Sequence, residues 1–423
     1  MWGSLRGVVS GAIPGVIPGV IPGVMRALLL IVLAAALSAC ASARLAMEDS
    51  LGYGWQALRG HLHVLAQARD LQDWLEDPQT PPALRDRLAL VQEIRTFASQ
   101  DLGLPDNRSY RRYADLKRPF AVWNVFSAPE LSLQLDTWCF PVLGCISYRG
   151  YYDPAQAQQL ADRLAAQGRE VHVGGIAAYS TLGFTPDPVL NTFVALPDGE
   201  LARLLFHELA HQVVYVGDDT MFNESFATAV ELAGVERWLA TRDAATRERA
   251  AIDARRRREF LTLLRAARSS FETLYQSDAP AERKRAGKRA LQCQLQGAYQ
   301  AMRNDRWSGY RGYDRFFATP PSNAQLAAIA TYDELVPGFL ALLGETTLAA
   351  STPDRAVAPG LTTLEPFFER VRALAKEPRD ARRAVLAAAL ERASREQAGP
   401  RDSVRDTGKP LFDPSSICDF ATL

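Results

Sequence analysis

The sequence has no excess of charge of either sign. Lysine plus arginine and aspartate plus glutamate each total 48 among 423 residues. Proteins that bind nucleic acid usually carry a basic excess or a basic stripe on one face. The basic run at 255–258 lies in a long charged helical pattern, which is typical of a solvated helix face. The composition therefore argues against a nucleic-acid partner.

Apolar runs of membrane-spanning length are also missing. The run after Met25 and Arg26 has about a dozen residues, whereas a transmembrane helix needs about 20. A basic residue, a short apolar run and small residues before Cys40 are typical of a secretory signal, here residues 1–39. The ending LSAC resembles the lipobox of bacterial lipoproteins, in which the cysteine is lipidated and attaches the protein to the membrane surface. With Ala41 after the cysteine, we expect a lipid-anchored protein in the periplasm-facing envelope, at the outer membrane. An ordinary secretory signal is the alternative.

The first 24 residues contain a repeat that is foreign to a signal peptide. IPGV occurs three times in succession over 13–24, and prolines at every fourth position would break a helix. We therefore expect translation to start at Met25, with 1–24 as upstream sequence.

Cysteine is rare, with five in the chain. An exported protein meets an oxidising compartment, where neighbouring cysteines pair. Cys139 and Cys145 enclose a turn containing proline and glycine in WCFPVLGC, which favours a disulfide between them. A metal-binding pair is less favoured, because no second pair of cysteines or histidines lies nearby.

The remaining pattern predicts an α+β, mostly helical protein. Helical periodicity over 43–102 is interrupted at 78–82. Short runs rich in β-branched and aromatic residues then predict a small mixed sheet, with a helix before the last two runs; the runs are FAVWNVFSA, LSLQLDTWC, LGCISYRGY, VHVGG and AAYSTLG. We expect N-terminal helices and this sheet in 40–196, an active-site helix and a catalytic helical subdomain in 197–350, and C-terminal helices with a flexible tail in 351–423.

Two histidines in LLFHELAHQ carry the clearest chemical signal. His207 and His211 are four residues apart, so on a helix they project from one face and can bind one metal ion. Zinc binds imidazole nitrogen, and a catalytic site keeps three protein ligands. Glu208 lies where its carboxylate can take a proton from the attacking water and pass it to the leaving amine. The alternative is a pair of histidines that only pack on a core face.

The third ligand decides the class of site. A metzincin would have histidine ten residues after His207, but that position is Gly217, and the other histidines precede the motif. Acidic residues remain as candidates. Gly217 can end the first helix and Asp219 or Thr220 can cap the second, so Glu224 falls near the first turn of the second helix.

Glu224 is therefore preferred as the ligand over Glu231, which lies seven residues further on the same helix face. Glu231 is expected to orient a histidine from behind the metal ligands. Asp218 and Asp219 are expected in the connecting loop.

The block from FHELAHQ to FNESFA resembles the gluzincins, zincin metallopeptidases whose third ligand is a glutamate on the next helix. More narrowly, the chain resembles the bacterial lipoproteins named "putative aminopeptidases". The shared stretches are WCFPVLGC with YRGYYD, AYSTLGFTPDPVLNTF, the HELAHQ to NESFA block, and NAQLAAIATYDELVPGF, in which Ser322-Asn323 replaces an expected asparagine pair.

This resemblance implies a zincin-like fold and one zinc ion bound by His207, His211 and Glu224, with Glu208 as general base. It also implies that AYSTLG binds the peptide substrate as an added strand. An oxyanion donor in this class is usually a tyrosine or histidine of the helical half, so Tyr332 and Tyr313 are candidates, although a packing role is favoured for each. An aminopeptidase needs an acid for the substrate's free amine, and GGIAAYSTLG contains none, so exopeptidase or endopeptidase action stays open.

The rival hypothesis is a non-catalytic or chaperone-like envelope lipoprotein with a structural zinc site. Glu208 argues against a purely structural site, because such a site needs no base beside its ligand. An envelope chaperone or assembly factor that retains weak proteolysis stays open as a second rival.

Overall fold

The computed structural model describes residues 52–140, 144–217, 219–330, 335–350, 363–397 and 412. Cys40, the signal region, Asp218 and Tyr332 lie outside these residues. The chain divides into two compact units, Met1–Arg59 and Gly60–Leu423. In the first unit residues 52–59 are helical, and the remainder of this description concerns the second. None of the described helices has the length and apolar content needed to cross a membrane.

The second unit begins with helices that support a small mixed sheet. Helix α1 covers 52–67, of which 60–67 belong to this unit; α2 is Leu71–Glu76 and α3 is Pro82–Gln100. Proline at the first position of α3 suits a helix start, because its missing N–H would have no partner there. Strands β1 (Arg69–Asp70), β2 (Arg112–Ala114) and β8 (Val189–Leu190) form a sheet in the order β1-β2-β8, with β1 antiparallel and β8 parallel to β2.

A separate antiparallel sheet contains the longest strands of the described chain. Strand β3 (Val122–Pro129) lies between β6 (Arg149–Tyr151) and β7 (Arg169–Ile176). Helix α4 (Pro154–Ala166) connects β6 to β7, and the Asp153 carboxylate caps it by accepting a hydrogen bond from the Ala155 amide at 2.9 Å.

A short hairpin of β4 (Trp138–Phe140) and β5 (Gly144–Ile146) stands apart from both sheets. Cys139 and Cys145 lie opposite each other in it and are joined by a disulfide. The expectation of one small sheet is therefore wrong in detail, because the predicted strands are divided among separate sheets. AAYSTLG is not a strand either, since β7 ends at Ile176 and a loop follows.

The rest of the described chain is helical, which confirms a mostly helical α+β protein. The helices are α5 (Asp198–Ala210), α6 (Thr220–Ala240), α7 (Ala244–Gln276), α8 (Ala281–Ala301), α9 (Asn323–Ala330), α10 (Val336–Ala350), α11 (Glu365–Leu374) and α12 (Arg379–Gln397), with a π-helical turn at Met302–Arg306 and a 3-10 turn at Asp314–Phe317.

The main core surrounds α5 and α6. Phe206 of α5 and Phe222 and Phe226 of α6 are fully buried, and Phe226 packs against Phe339 of α10 with ring centroids 5.9 Å apart. Gly234 allows the two helices to approach closely, because a side-chain carbon there would lie 2.8 Å from the Phe206 ring. The tight α5–α6 pair provides the rigid base of the candidate site.

Candidate metal centre

The HELAH histidines lie at the end of α5. His207 is in the last turn, and His211 caps the helix end with its amide 3.4 Å from the His207 carbonyl. The chain then loops back through 212–217 and enters α6, where the Asp219 carboxylate accepts a hydrogen bond from the Phe222 amide at 3.3 Å. This return brings the first turn of α6 next to both histidines.

His207, His211 and Glu224 meet as one cluster, and each offers a ligand atom within 4.8 Å of the others. The two Nε2 atoms are 3.2 Å apart, and the Glu224 carboxylate oxygens lie 3.3 Å from Nε2 of His207 and 3.7 Å from Nε2 of His211. Ligand bonds of about 2.0–2.1 Å in a tetrahedral zinc site place neighbouring ligand atoms about 3.3 Å apart. The donor types and spacing therefore fit a zinc ion.

Asn223 holds the loop that returns the chain to Glu224. Its side-chain oxygen accepts a hydrogen bond from the Val216 amide and its nitrogen donates to the Val216 carbonyl, both at 2.8 Å. The loop is thus fixed to α6 one residue before the candidate ligand, which limits how far Glu224 can move from the histidines.

Glu231 lies behind the cluster and orients His207. Its carboxylate is 3.1 Å from Nδ1 of His207 and also pairs with Arg203, which bonds Glu200 at 3.2 Å. A hydrogen bond at Nδ1 directs Nε2 toward the ligand position. Burial would raise the pKa of Glu231, but Arg203 and His207 outweigh it and lower the pKa to about 2, so this acceptor is charged at neutral pH.

The two histidines differ in their affinity for protons. Burial would lower the pKa of His207, but hydrogen bonds to Glu224 and Glu231 raise it to about 10. Burial lowers the pKa of His211 to about 4. His211 is therefore neutral and ready to bind a metal ion, whereas a proton on His207 must leave when a metal binds.

Glu208 interacts electrostatically both with the ligand set and with a second group of buried side chains. It is only partly buried, and desolvation is the main cause that raises its pKa to about 7. Its charge is felt by Tyr110, whose pKa is raised first by burial and then by Glu208 and Asp187. A carboxylate with a pKa near neutrality can both accept and release a proton.

These residues fall within a known protein family. The family model described as "Putative aminopeptidase" matches residues 52–386, which include α5, α6 and every member of the cluster. The chain belongs to this family. Searches of curated proteins and of solved structures found no match.

The segment AYSTLG, which the family resemblance assigns to substrate binding, is a loop held by its own hydrogen bonds. The Asp187 carboxylate accepts hydrogen bonds from the Thr181 amide at 2.9 Å and hydroxyl at 2.7 Å, which closes the loop on itself. Leu182 and Gly183 both have positive φ, and a side chain at Gly183 would lie 3.3 Å from Gln212. The loop therefore passes beside the end of the HELAHQ helix without forming a strand.

Tyr313 and His61 have their own partners outside the histidine–glutamate cluster. Tyr313 is stacked on Phe260, with ring centroids 4.0 Å apart, in a separate apolar cluster around α7 and α8. Its ring has a packing role, which is the role that the sequence favoured over an oxyanion donor. His61 is bonded to Tyr179 and Thr185 at 2.9 Å, so it belongs to the loop network and not to the surface.

The sequence interpretation missed residues that shape the centre. Arg203 lies one turn before His207 on the same helix face, a spacing that could have identified it. Asn223 adjoins Glu224 in FNESFA and could have been found as a loop anchor. Tyr110 carries no local signal, because it reaches Glu208 only through the fold.

Proposed function

We propose that this family member is a zinc-dependent peptidase that hydrolyses peptide bonds and, within that class, an aminopeptidase. The spacing of His207, His211 and Glu224, which matches a tetrahedral zinc site with a carboxylate base beside it, is the observation that supports this proposal. The family description supports the peptidase class.

The three ligand residues would hold one zinc ion, and Glu231 would fix the ring of His207. When bound, zinc supplies a Lewis acid that polarises the substrate carbonyl and lowers the pKa of water. Glu208 accepts a proton from the attacking water as the water oxygen bonds to the carbonyl carbon. It then delivers that proton to the amide nitrogen as the C–N bond breaks.

Exopeptidase action needs a group that binds the free amine of the substrate. Asp187 carries a carboxylate of the required type, but it is buried and accepts hydrogen bonds from the hydroxyls of Thr181 and Thr185. The proposal of aminopeptidase action therefore rests on the family and requires its own test.

We further propose that Cys40 carries a lipid that attaches the enzyme to the outer membrane, facing the periplasm. The LSAC motif after a short apolar run supports this location. Metabolic labelling with a radioactive fatty acid should label the wild type and not Cys40→Ser; equal labelling would contradict the proposal.

The function is tested by measuring bound metal and peptide hydrolysis together. We expect about one zinc per purified full-length chain by elemental analysis, loss of hydrolysis with a chelator, and recovery when zinc is restored. His211→Ala should lose both zinc and activity, whereas the exposed His63→Ala should lose neither. Zinc without hydrolysis of any peptide in a library would favour the structural-zinc lipoprotein, and absence of zinc would overturn the proposal.

The same assay separates exopeptidase from endopeptidase action. Peptides with free N-termini should be cleaved from that end, and their N-acetylated versions should resist cleavage. Equal cleavage of both sets would identify an endopeptidase.

The contact between Glu231 and His207 predicts an effect on metal affinity. Glu231→Gln keeps the shape but removes the charged acceptor, so we expect zinc to bind about 10–100-fold more weakly. Competition with a chromogenic chelator measures this change. Glu236→Gln, at an exposed position of the same helix, is the matched control and should bind zinc like the wild type. Equal zinc affinity in the Glu231 variant would contradict a role in orienting His207.

A further inference from the structure

A polar cavity that contains none of the metal-cluster residues is lined in part by Tyr110. It has a volume of about 320 Å³ and is formed where α2 and α3 face the chain around β2. That size is at the lower end of the range for small-ligand pockets. Tyr110 lines this cavity, and its pKa is also raised by the charge of Glu208.

The walls of this cavity are strongly positive. Arginines supply four of its lining side chains, Arg95, Arg108, Arg111 and Arg112, and Asp70 is the acid among them. The Asp70 carboxylate lies 3.4 Å from Arg112 but is well exposed to solvent. Exposed acids neutralise a neighbouring charge weakly, because water and salt screen them.

Asp106, just outside the lining, does not remove this excess. It pairs with Arg111 at 2.5 Å and lies 3.9 Å from Arg95, and it is itself mostly exposed. Two solvent-exposed carboxylates therefore face four guanidinium groups, and the cavity keeps a positive charge.

Arg95 is the strongest sign that a partner belongs in the cavity. It is fully buried, and its Nε and Nη2 atoms donate to the carbonyls of Ser109 and Pro105 at 3.1 and 2.5 Å. Among the described residues its Nη1 atom has no hydrogen-bond partner. The hydrogen bonds of this buried guanidinium go to neutral carbonyls, and the nearest carboxylate, Asp106, is exposed and 3.9 Å away. Such a group carries a desolvation cost that a bound anion would offset. Burial, followed by repulsion from Arg111, lowers the Arg95 pKa to about 10, so it stays charged at neutral pH.

Tyr110 is a second lining residue that carries an unsatisfied polar group. Its hydroxyl is buried and has no partner in the described part of the chain, and its backbone has a φ of 61°. A bulky residue in this left-handed conformation is strained, and such strain is characteristic of functional positions. The Tyr110 amide bonds the Asp187 carbonyl at 2.6 Å, which holds the ring in place.

We propose that this cavity binds a small oxyanion, either a carboxylate or a phosphate. Arg95 binds the anion from the buried end of the cavity, and Arg108 binds it from the exposed rim. Guanidinium groups suit such ligands because their paired N–H donors match two oxygens of one anion. Arg108 is exposed at the cavity rim and can meet an incoming ligand, whereas Arg95 forms the buried end. The site is distinct from the metal ligands, and the proposal does not depend on peptidase activity.

The ligand could be a free inorganic anion or the carboxylate of a peptide, and calorimetric titration distinguishes these sources. The metal-free full-length chain is titrated with phosphate, with an N-acetylated dipeptide acid, and with the amide of the same dipeptide, all at constant ionic strength in chloride. Saturable binding of phosphate identifies the inorganic source, and binding of the dipeptide acid but not its amide identifies the peptide source. If neither binds, the proposal is overturned.

Substitution of the exposed arginine makes the assignment specific. Arg108→Gln should weaken binding about tenfold or more, because a charge-assisted hydrogen bond is lost. Arg395→Gln, an exposed arginine of α12 away from the cavity, should bind like the wild type. Tyr110→Phe keeps the ring and should weaken binding severalfold. Unchanged affinity in both Arg108→Gln and Tyr110→Phe, or an equal loss in Arg395→Gln, would overturn the proposal.

Discussion

Glu208→Gln is expected to retain zinc while kcat/KM for peptide hydrolysis falls about 10²–10⁴-fold. Glutamine has the same shape as glutamate but cannot accept the proton of the attacking water. Glu208 is not among the three residues whose ligand atoms cluster, so its substitution should leave the ligands in place. Peptide hydrolysis under single-turnover conditions, with zinc measured on the same sample, tests both parts of this expectation.

The matched control is Glu236→Gln, an isosteric change at an exposed position of α6. It should keep both zinc and activity. Loss of zinc from Glu208→Gln would show that Glu208 supports the ligands, and full activity in that variant would eliminate it as the base. Either result would require a different assignment of the proton acceptor.

Arg382→Met is expected to lower the free energy of unfolding by about 3–5 kcal/mol. Arg382 of α12 donates to the Asp219 carboxylate at 2.6 Å, and both side chains are buried. Methionine retains the apolar packing over Phe222 but leaves the Asp219 charge buried and unpaired. Chemical denaturation followed by circular dichroism measures the loss.

A double variant identifies the cause of this loss. Asp219→Asn keeps the N-cap of α6, because asparagine is also a good capping residue, and it removes the buried charge. Arg382→Met combined with Asp219→Asn should therefore recover most of the stability. Arg379→Met, at an exposed position of the same helix, should change stability by less than about 0.5 kcal/mol. If the double variant were as unstable as Arg382→Met alone, the lost packing and not the buried charge would be the cause.

The sequence predicted best those features that depend on neighbouring residues. The mostly helical α+β class follows from periodicity, and the aminopeptidase family was identified from short motifs and is confirmed by the match over 52–386. The cap at Asp219 places Glu224 one turn into α6, where it lies beside the histidines. The segment from His207 to Glu224 spans fewer than about 20 residues, so local helix geometry is enough to predict that these side chains meet. The zincin-like classification of the fold stays a prediction.

Features that depend on particular side-chain hydrogen bonds or on distant partners were not predictable. AAYSTLG has the composition of a strand, but the hydrogen bonds from Thr181 to Asp187 and the positive φ of Leu182 turn it into a loop. Nothing in a single sequence indicates that Tyr110 lies within electrostatic range of Glu208 or that Arg382 pairs with Asp219. Such interactions are set by packing between segments that are far apart along the chain.

The position of Arg382 also has a consequence for the order in which the centre forms. Residues 207–231 contain every member of the histidine–glutamate cluster, so these can meet as soon as one helix pair is made. Arg382 is 163 residues beyond Asp219, and closing so long a loop is slow compared with local contacts. In a growing or newly exported chain, the metal ligands would thus come together before the Arg382–Asp219 ion pair at the start of α6 has formed. The C-terminal helices would then stabilise a site whose ligands had already come together within residues 207–231.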